Sequence, residues 1–221
     1  MRERAIAPRA GVASLRGRLR MVTQRNHGTF RGWLRCAGSQ IMFMSGGLNR
    51  FVRPELGQVR RLVFVCLGNI HRSAFAQGVA RQRGIEALSY GLAATTGAAS
   101  AALTVEHAAA FGIDLASHAA TDITDYEFAP GDLLLAMEVR HVRYLIDLGL
   151  PADAIGLLGH WACPHRIHLQ DPHRLSESFL RTCFALIHSA VQHLADELVA
   201  VGSPCAALRR TEPHPEDAQH A

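Results

Sequence analysis

The sequence predicts an α/β domain, a doubly wound four-stranded parallel sheet flanked by helices, and three observations carry that expectation. Strand-like and helix-like patterns alternate between about residues 60 and 200, the order that a parallel sheet with crossover helices requires. The apolar runs are of strand length, and none approaches the length needed to cross a bilayer. With 221 residues and 48% hydrophobic content, the chain can fill one core domain with appendages.

Strands are expected near 61–65, 87–91, 131–136 and 154–157, and helices near 73–84, 103–111, 138–148 and 176–200. The last helix is amphipathic through Phe179, Cys183, Leu186, Ile187, Ala190, Val191 and Leu194, which places Cys183 on its core face. In such a sheet, ligands bind at the carboxyl ends of the strands. The domain is expected over 56–202, preceded by a basic, disordered extension over 1–55 and followed by a disordered tail over 203–221.

Charge is unevenly distributed. Residues 1–53 hold eleven arginines and one acid, Glu3, whereas the whole chain carries only +4, so the remainder is acidic. The basic balance therefore says nothing of nucleic acid at the domain itself, and no nucleic-acid partner is expected. The extension lacks the continuous apolar core of a secretory signal. Three readings of it stand: a basic arm, a transit peptide, or sequence upstream of a start at Met42 or Met44. An arm without catalytic function is the favoured one. The chain has no lysine and abundant alanine, as a GC-rich, bacterial coding sequence would give. Five irregularly spaced cysteines do not form a disulfide framework.

Chemistry concentrates in Leu62-Val63-Phe64-Val65-Cys66-Leu67-Gly68-Asn69-Ile70-His71-Arg72-Ser73. A cysteine followed six residues later by arginine would arise by chance about half the time in this composition, so context must carry the argument. An apolar strand runs into Cys66 and a helical pattern begins at Ser73, which makes 67–72 a strand-to-helix loop. Such a loop turns unpaired N–H groups and the positive end of a helix onto one point, with Gly68 supplying backbone freedom. The backbone of Leu67, Gly68, Asn69, Ile70 and His71 would then cradle a phosphate. Cys66 would lie at its floor, where these groups and Arg72 favour the thiolate, the attacking form. Arg72 offers a planar fork for two phosphate oxygens. Ser73 can hydrogen-bond the sulfur, and Asn69 can hold the loop shape. The competing reading, a small buried cysteine ending a core strand, leaves the loop unexplained.

This segment resembles the signature of the low-molecular-weight protein tyrosine phosphatases, V-C-x-G-N-I-C-R-S-P. The resemblance continues through Ser89 and Gly91, the run from Gly112 to His118, the block from Asp132 to Glu138, Leu157-Leu158-Gly159 and Asp171-Pro172. It implies a phosphatase I-like fold, phosphomonoester hydrolysis through a phosphocysteine on Cys66, and no cofactor or metal. Asp171 would protonate the leaving oxygen and then, as carboxylate, activate water. Taken without the upstream motif, Asp171-Pro172 reads as an ordinary turn. By the same resemblance Asn69, Ser73, Ser89 and His118 form a supporting network; His118 alone reads equally well as a half-buried histidine after a turn.

The departures bear on redox behaviour and substrate. His71 stands where the family commonly has a second cysteine, so that route of reversible protection is absent unless Cys163 or Cys183 lies close. When protonated, His71 could add positive charge near the sulfur. His173 and Arg174 follow Asp171-Pro172 where the family has aromatics, leaving Tyr90 or Trp161 as substitutes. Phosphomonoester hydrolysis is thus better founded than tyrosine specificity. The alternatives are a non-catalytic phosphate- or partner-binding relative and an arsenate reductase, which the absence of cysteine over 137–147 disfavours. The run His160-Trp161-Ala162-Cys163-Pro164-His165-Arg166-Ile167-His168 suits zinc poorly and reads as a solvated loop. The resemblance points to a phosphotyrosine protein or another phosphomonoester as substrate, including the bacterial tyrosine kinases of polysaccharide export, and a reactive thiolate to the cytoplasm.

Overall fold

A computed structural model describes residues 24–207. Four parallel strands form one sheet in the order β2-β1-β3-β4: β1 is Arg61–Cys66, β2 Ala87–Gly91, β3 Asp132–Ala136 and β4 Ile155–Leu157. β1 and β3 are central and almost wholly buried, which explains why they read as continuous apolar runs rather than as alternating ones. Their register, with Phe64 opposite Ser89 and Leu135, sets the carboxyl ends of β1, β2 and β3 side by side.

Helices cover both faces. Leu62 and Phe64 point from β1 to the side covered by α3 (Arg72–Gln82) and α6 (Glu177–Ala200), while Val63 and Val65 point to the side covered by α5 (Val139–Asp147). Alternation along one strand therefore feeds two cores. Phe75 of α3 and Phe184 of α6 lie parallel with centroids 4.1 Å apart, sealing the two helices together. Helix α4 (Ala102–Ala109) lies against α6. Each expected strand and helix is present, with ends shifted by one or two residues.

The expected extension and tail need correction. Within 1–55 the chain forms α1 (Phe30–Met44) and α2 (Asn49–Val52), and Leu48 and Val52 are buried against the same core as Ile155 and Leu157. The physical reason is β4, a three-residue edge strand whose apolar face needs a cover that the domain proper does not supply. Residues 1–23 lie outside the described residues. Beyond 202, α7 (Pro204–Ala207) packs back: the Ser203 hydroxyl and the Cys205 N–H both donate to the Val59 carbonyl, at 2.7 and 3.0 Å. The rest of the tail, 208–221, is likewise outside the described residues. The histidine-rich run is not a solvated loop throughout, because Trp161, Ile167 and His168 are buried. Among the described residues no helix is long and apolar enough to cross a membrane.

Candidate active site

β1 delivers Cys66 to the sheet's carboxyl edge, and α3 begins at Arg72, so 67–71 must reverse from strand to helix in five residues. The left-handed position in that turn is Asn69, at φ 52°, rather than Gly68. Asparagine accepts this conformation more readily than most residues, and here its every polar group is used. The Asn69 N–H points at the Cys66 sulfur, 3.2 Å away; its side-chain amide donates to the Ser73 and Ser89 hydroxyls, each at 2.9 Å; and its side-chain oxygen accepts from the Thr121 N–H at 2.8 Å. His118 Nε2 donates to the Asn69 carbonyl at 2.7 Å, which fixes the tautomer with its proton on Nε2. The Ser89 hydroxyl in turn donates to Gln77 Oε1 at 2.8 Å. The Ser73 hydroxyl lies 3.0 Å from the sulfur. No side chain caps α3, so the N–H groups of its first turn face the same loop.

Gly91 shows why a glycine ends β2. A Cβ there would sit 2.9 Å from the Leu67 carbonyl and 3.0 Å from the Asn69 nitrogen, so only glycine lets the two backbones approach.

Arg72 is the largest wholly buried side chain, and its two ends differ. Nη1 donates to Glu138 at 2.7 Å and to the Leu169 carbonyl at 2.9 Å. Nε and Nη2 have no hydrogen-bond acceptor among the described residues. Asp171 Oδ2 lies 3.0 Å from Nη2, close enough for charge attraction without the alignment of a hydrogen bond. Burial works against the guanidinium charge, but Asp171, Cys66 and Glu138 outweigh it and push the Arg72 pKa up.

Glu138, at the carboxyl end of β3, underlies this arrangement. It also accepts two hydrogen bonds from Arg140, at 2.8 and 3.0 Å, and has the rings of His141 and His168 each 3.6 Å away. Burial would raise its pKa, yet the charge of Arg72 and the Arg140 bonds overcome this and hold it at about 2. Burial, reinforced by Arg72, holds His141 at about 3 and His168 at about 4 against the pull of Glu138. Glu138 is thus an anion fixing the arginine between neutral imidazoles. Glu138 closes the block from Asp132, where sequence alone assigns it no role; an acid two residues past a buried strand beside the cysteine strand is the signal that marks it.

Above the sulfur opens a cleft of about 200 Å³, lined by Cys66, Leu67, Gly68, Ile70, His71, Ala93, Asp171 and His173. Asp171 is part-exposed on the opposite wall, its Oδ1 accepting from the His173 N–H at 3.2 Å. A larger groove, about 620 Å³, is lined in part by Leu88, Ser89 and Tyr90 of β2, but no cysteine lines it. The structure therefore gathers Cys66, Asn69, Arg72, Ser73, Ser89, His118 and Asp171 at one place.

Two sequence expectations change here. His71 does not add charge beside the sulfur: burial, assisted by His173 and Arg72, holds its pKa at about 4, and its ring bonds Thr104 and faces His173 Nδ1 at 3.4 Å. Neither substitute aromatic reaches the cleft. Tyr90 packs on Tyr126 with centroids 5.1 Å apart, and buried Trp161 donates to Glu197. All five cysteines are free; Cys163 is exposed, and burial pushes the Cys183 thiol up to about 12.

A doubly wound sheet with a buried arginine and a cysteine under a ring of amide and hydroxyl donors defines a cysteine-based phosphate-handling protein. The chain belongs to the low molecular weight phosphotyrosine protein phosphatases, whose family profile matches residues 61–203. It is 35% identical over 146 residues to the probable low molecular weight protein-tyrosine-phosphatase EpsP of Ralstonia nicotianae, covering 65% of this chain and 99% of that one. It is 28% identical over 143 residues to the Wzb phosphatase of Salmonella typhi, covering 63% and 95%. Among solved structures it is similar to Vibrio vulnificus Wzb in complex with benzylphosphonate, with a TM-score of 0.55, 24% identity and coverage of 62% and 98%. The YwlE arginine phosphatase of Geobacillus stearothermophilus shares the fold as well, with a TM-score of 0.59, 21% identity and coverage of 70% and 99%. The chain is a phosphatase with its cysteine at the position that this family uses.

Proposed function

We propose that this protein hydrolyses phosphotyrosine in proteins by a two-step phosphocysteine route. One observation carries the reading. The Cys66 sulfur accepts the Asn69 N–H and lies 3.0 Å from the Ser73 hydroxyl, in a cleft that Asp171 also lines, while buried Arg72 keeps Nε and Nη2 without a hydrogen-bond acceptor among the described residues, Nη2 lying 3.0 Å from Asp171.

In the first step the Cys66 thiolate attacks phosphorus, the bond to the tyrosine oxygen breaks, and protonated Asp171 gives that oxygen its proton. In the second, the Asp171 carboxylate takes a proton from water, whose oxygen attacks phosphorus and expels the thiolate. The loop amides of Leu67, Gly68, Asn69, Ile70 and His71 and the Arg72 fork stabilise the charge that builds on the phosphoryl oxygens. Asn69, Ser73, Ser89 and His118 hold the loop, and the Glu138 bond directs the arginine. Neither step requires a metal or cofactor.

The mouth of the cleft supports an aryl group, since Leu67 is 38% exposed and Ile70 and Ala93 continue an aliphatic wall. The partner class is a phosphotyrosine protein, and by the family resemblance a tyrosine kinase of polysaccharide export is the first to test. A free reactive cysteine supports the cytoplasm as its compartment. Phosphate release from an aryl phosphate and from phosphoserine and phosphoarginine peptides, under reducing, metal-free conditions, tests the reading. The aryl ester should turn over fastest, Cys66→Ser should abolish turnover, and Asp171→Asn should lower it about a hundredfold or more. Wild-type protein that binds vanadate without turnover would instead mark a non-catalytic relative.

A further inference from the structure

Over most of its length helix α1 meets the domain through small and polar residues, the kind that a surface helix ordinarily turns outward. Gly32 and Ser39 are its buried residues, and Gly32 lies so close to Gln170 that a Cβ would overlap the amide. Thr29 caps the helix through the Gly32 N–H, at 3.0 Å. Met42 and Phe43 pack inward against the core, but the other large apolar side chains point the other way. Phe30 is 67% exposed, Trp33 43%, Leu34 49%, Ile41 65% and Met44 76%. Their successive spacing of three, one, seven and three residues puts them on one stripe, with Ala37 and Gly38 filling the gap. Phe30 and Trp33 stack with centroids 5.6 Å apart, extending the apolar surface. A soluble domain normally turns such a stripe inward.

The charge around the stripe narrows what could cover it. Residues 1–53 carry eleven arginines and one acid. Among the described residues, no acid forms an ion pair with Arg25, Arg31, Arg35, Arg50 or Arg53. A second copy of this chain would bring the same positive field to the contact and be repelled. An apolar stripe carrying tryptophan and phenylalanine, flanked by unpaired arginines, is the composition that lies in the boundary between anionic headgroups and acyl chains. The helix is 15 residues long, too short to span; it would lie flat.

We propose that α1 seats this enzyme on the surface of an anionic membrane, with Phe30, Trp33, Leu34, Ile41 and Met44 in the headgroup–acyl boundary and the arginines on lipid phosphates. This is independent of the catalytic assignment, since the stripe holds no residue of the cleft. The probe is vesicles of phosphatidylcholine with and without phosphatidylglycerol, mixed with the full chain in the absence of substrate. The chain should partition about tenfold or more in favour of the anionic vesicles, and less as salt is raised. Trp33 fluorescence should shift to the blue, because the other tryptophan, Trp161, is already buried. Ile41→Glu should reduce partitioning about tenfold and leave hydrolysis of a small aryl phosphate unchanged, which also reports that the variant is folded. Partitioning indifferent to lipid charge, or unaffected by Ile41→Glu, would overturn the proposal. So would a wild-type dimer that ignores vesicles and is dissociated by Ile41→Glu, because the stripe would then be a protein interface.

Discussion

Two loops face each other across the cleft and are held in different ways. In 66–73 the side chains of Asn69 and Ser73 are buried and bonded, and Arg72 is locked on one side by Glu138 and Leu169. In 171–175 the chain is more open: Asp171 is 28% exposed, Arg174 sits at φ 57°, and the backbone N–H bonds of His173 and Leu175 are short-range turns. The contrast suits the proposed roles. A cradle for a transferring phosphoryl group gains by being fixed before the substrate arrives, whereas a group that gives and retakes a proton must meet leaving groups and water in turn.

Glu138→Gln should have the largest effect on the fixed wall. It removes the buried one of the two counter-ions of Arg72, leaving only part-exposed Asp171, and breaking a buried pair costs about 3–5 kcal/mol. Urea unfolding would read this as a lower midpoint with an unchanged slope. Asn69→Ala comes next, because the Ser89 hydroxyl and the Thr121 N–H lose partners and alanine must adopt a left-handed conformation. A loss of about 1–3 kcal/mol is expected, with turnover reduced beyond what stability explains. If the same measurements placed Asn69→Ala level with a change at exposed His173, the contrast between the walls would fail.

Acid should act through the fixed wall and the groups that hold Arg72 there. His71, His141 and His168 have folded pKa values of about 4, 3 and 4, below the ordinary 6.5. The unfolded chain therefore binds more protons in that interval, and the stability due to these neutral rings is complete above about pH 6.5 and lost as pH falls towards 4 and below. Glu138, held at about 2, loses its contribution only at still lower pH. Thermal midpoints should thus begin to fall below pH 6.5, and His141→Gln should flatten that fall. The smallest effect is dynamic: amides of 66–73 should exchange with solvent more slowly than those of 171–175.

What the sequence disclosed follows the same division. Strand β1, its loop and α3 are contiguous, so local pattern revealed Cys66, Arg72 and Ser73 together. Glu138 and the carbonyl of Leu169 reach Arg72 from 66 and 97 residues away, and no local pattern joins them. Asn69, not Gly68, takes the left-handed turn because its side chain has three partners to bind, a tertiary reward that propensity does not contain. The packed part of the extension was concealed by composition: arginine and glycine suggested an arm, while Leu48 and Val52 answered to the exposed edge of β4.

The most direct test of the central claim is to mix the Asp171→Asn variant with an aryl phosphate, quench in acid within the first turnover, and map the adduct by mass spectrometry. The account predicts one phosphoryl group on the peptide containing Cys66, absent in a variant that also carries Cys66→Ala. Steady turnover with no phosphoryl group on that cysteine, or an adduct on another residue, would contradict it.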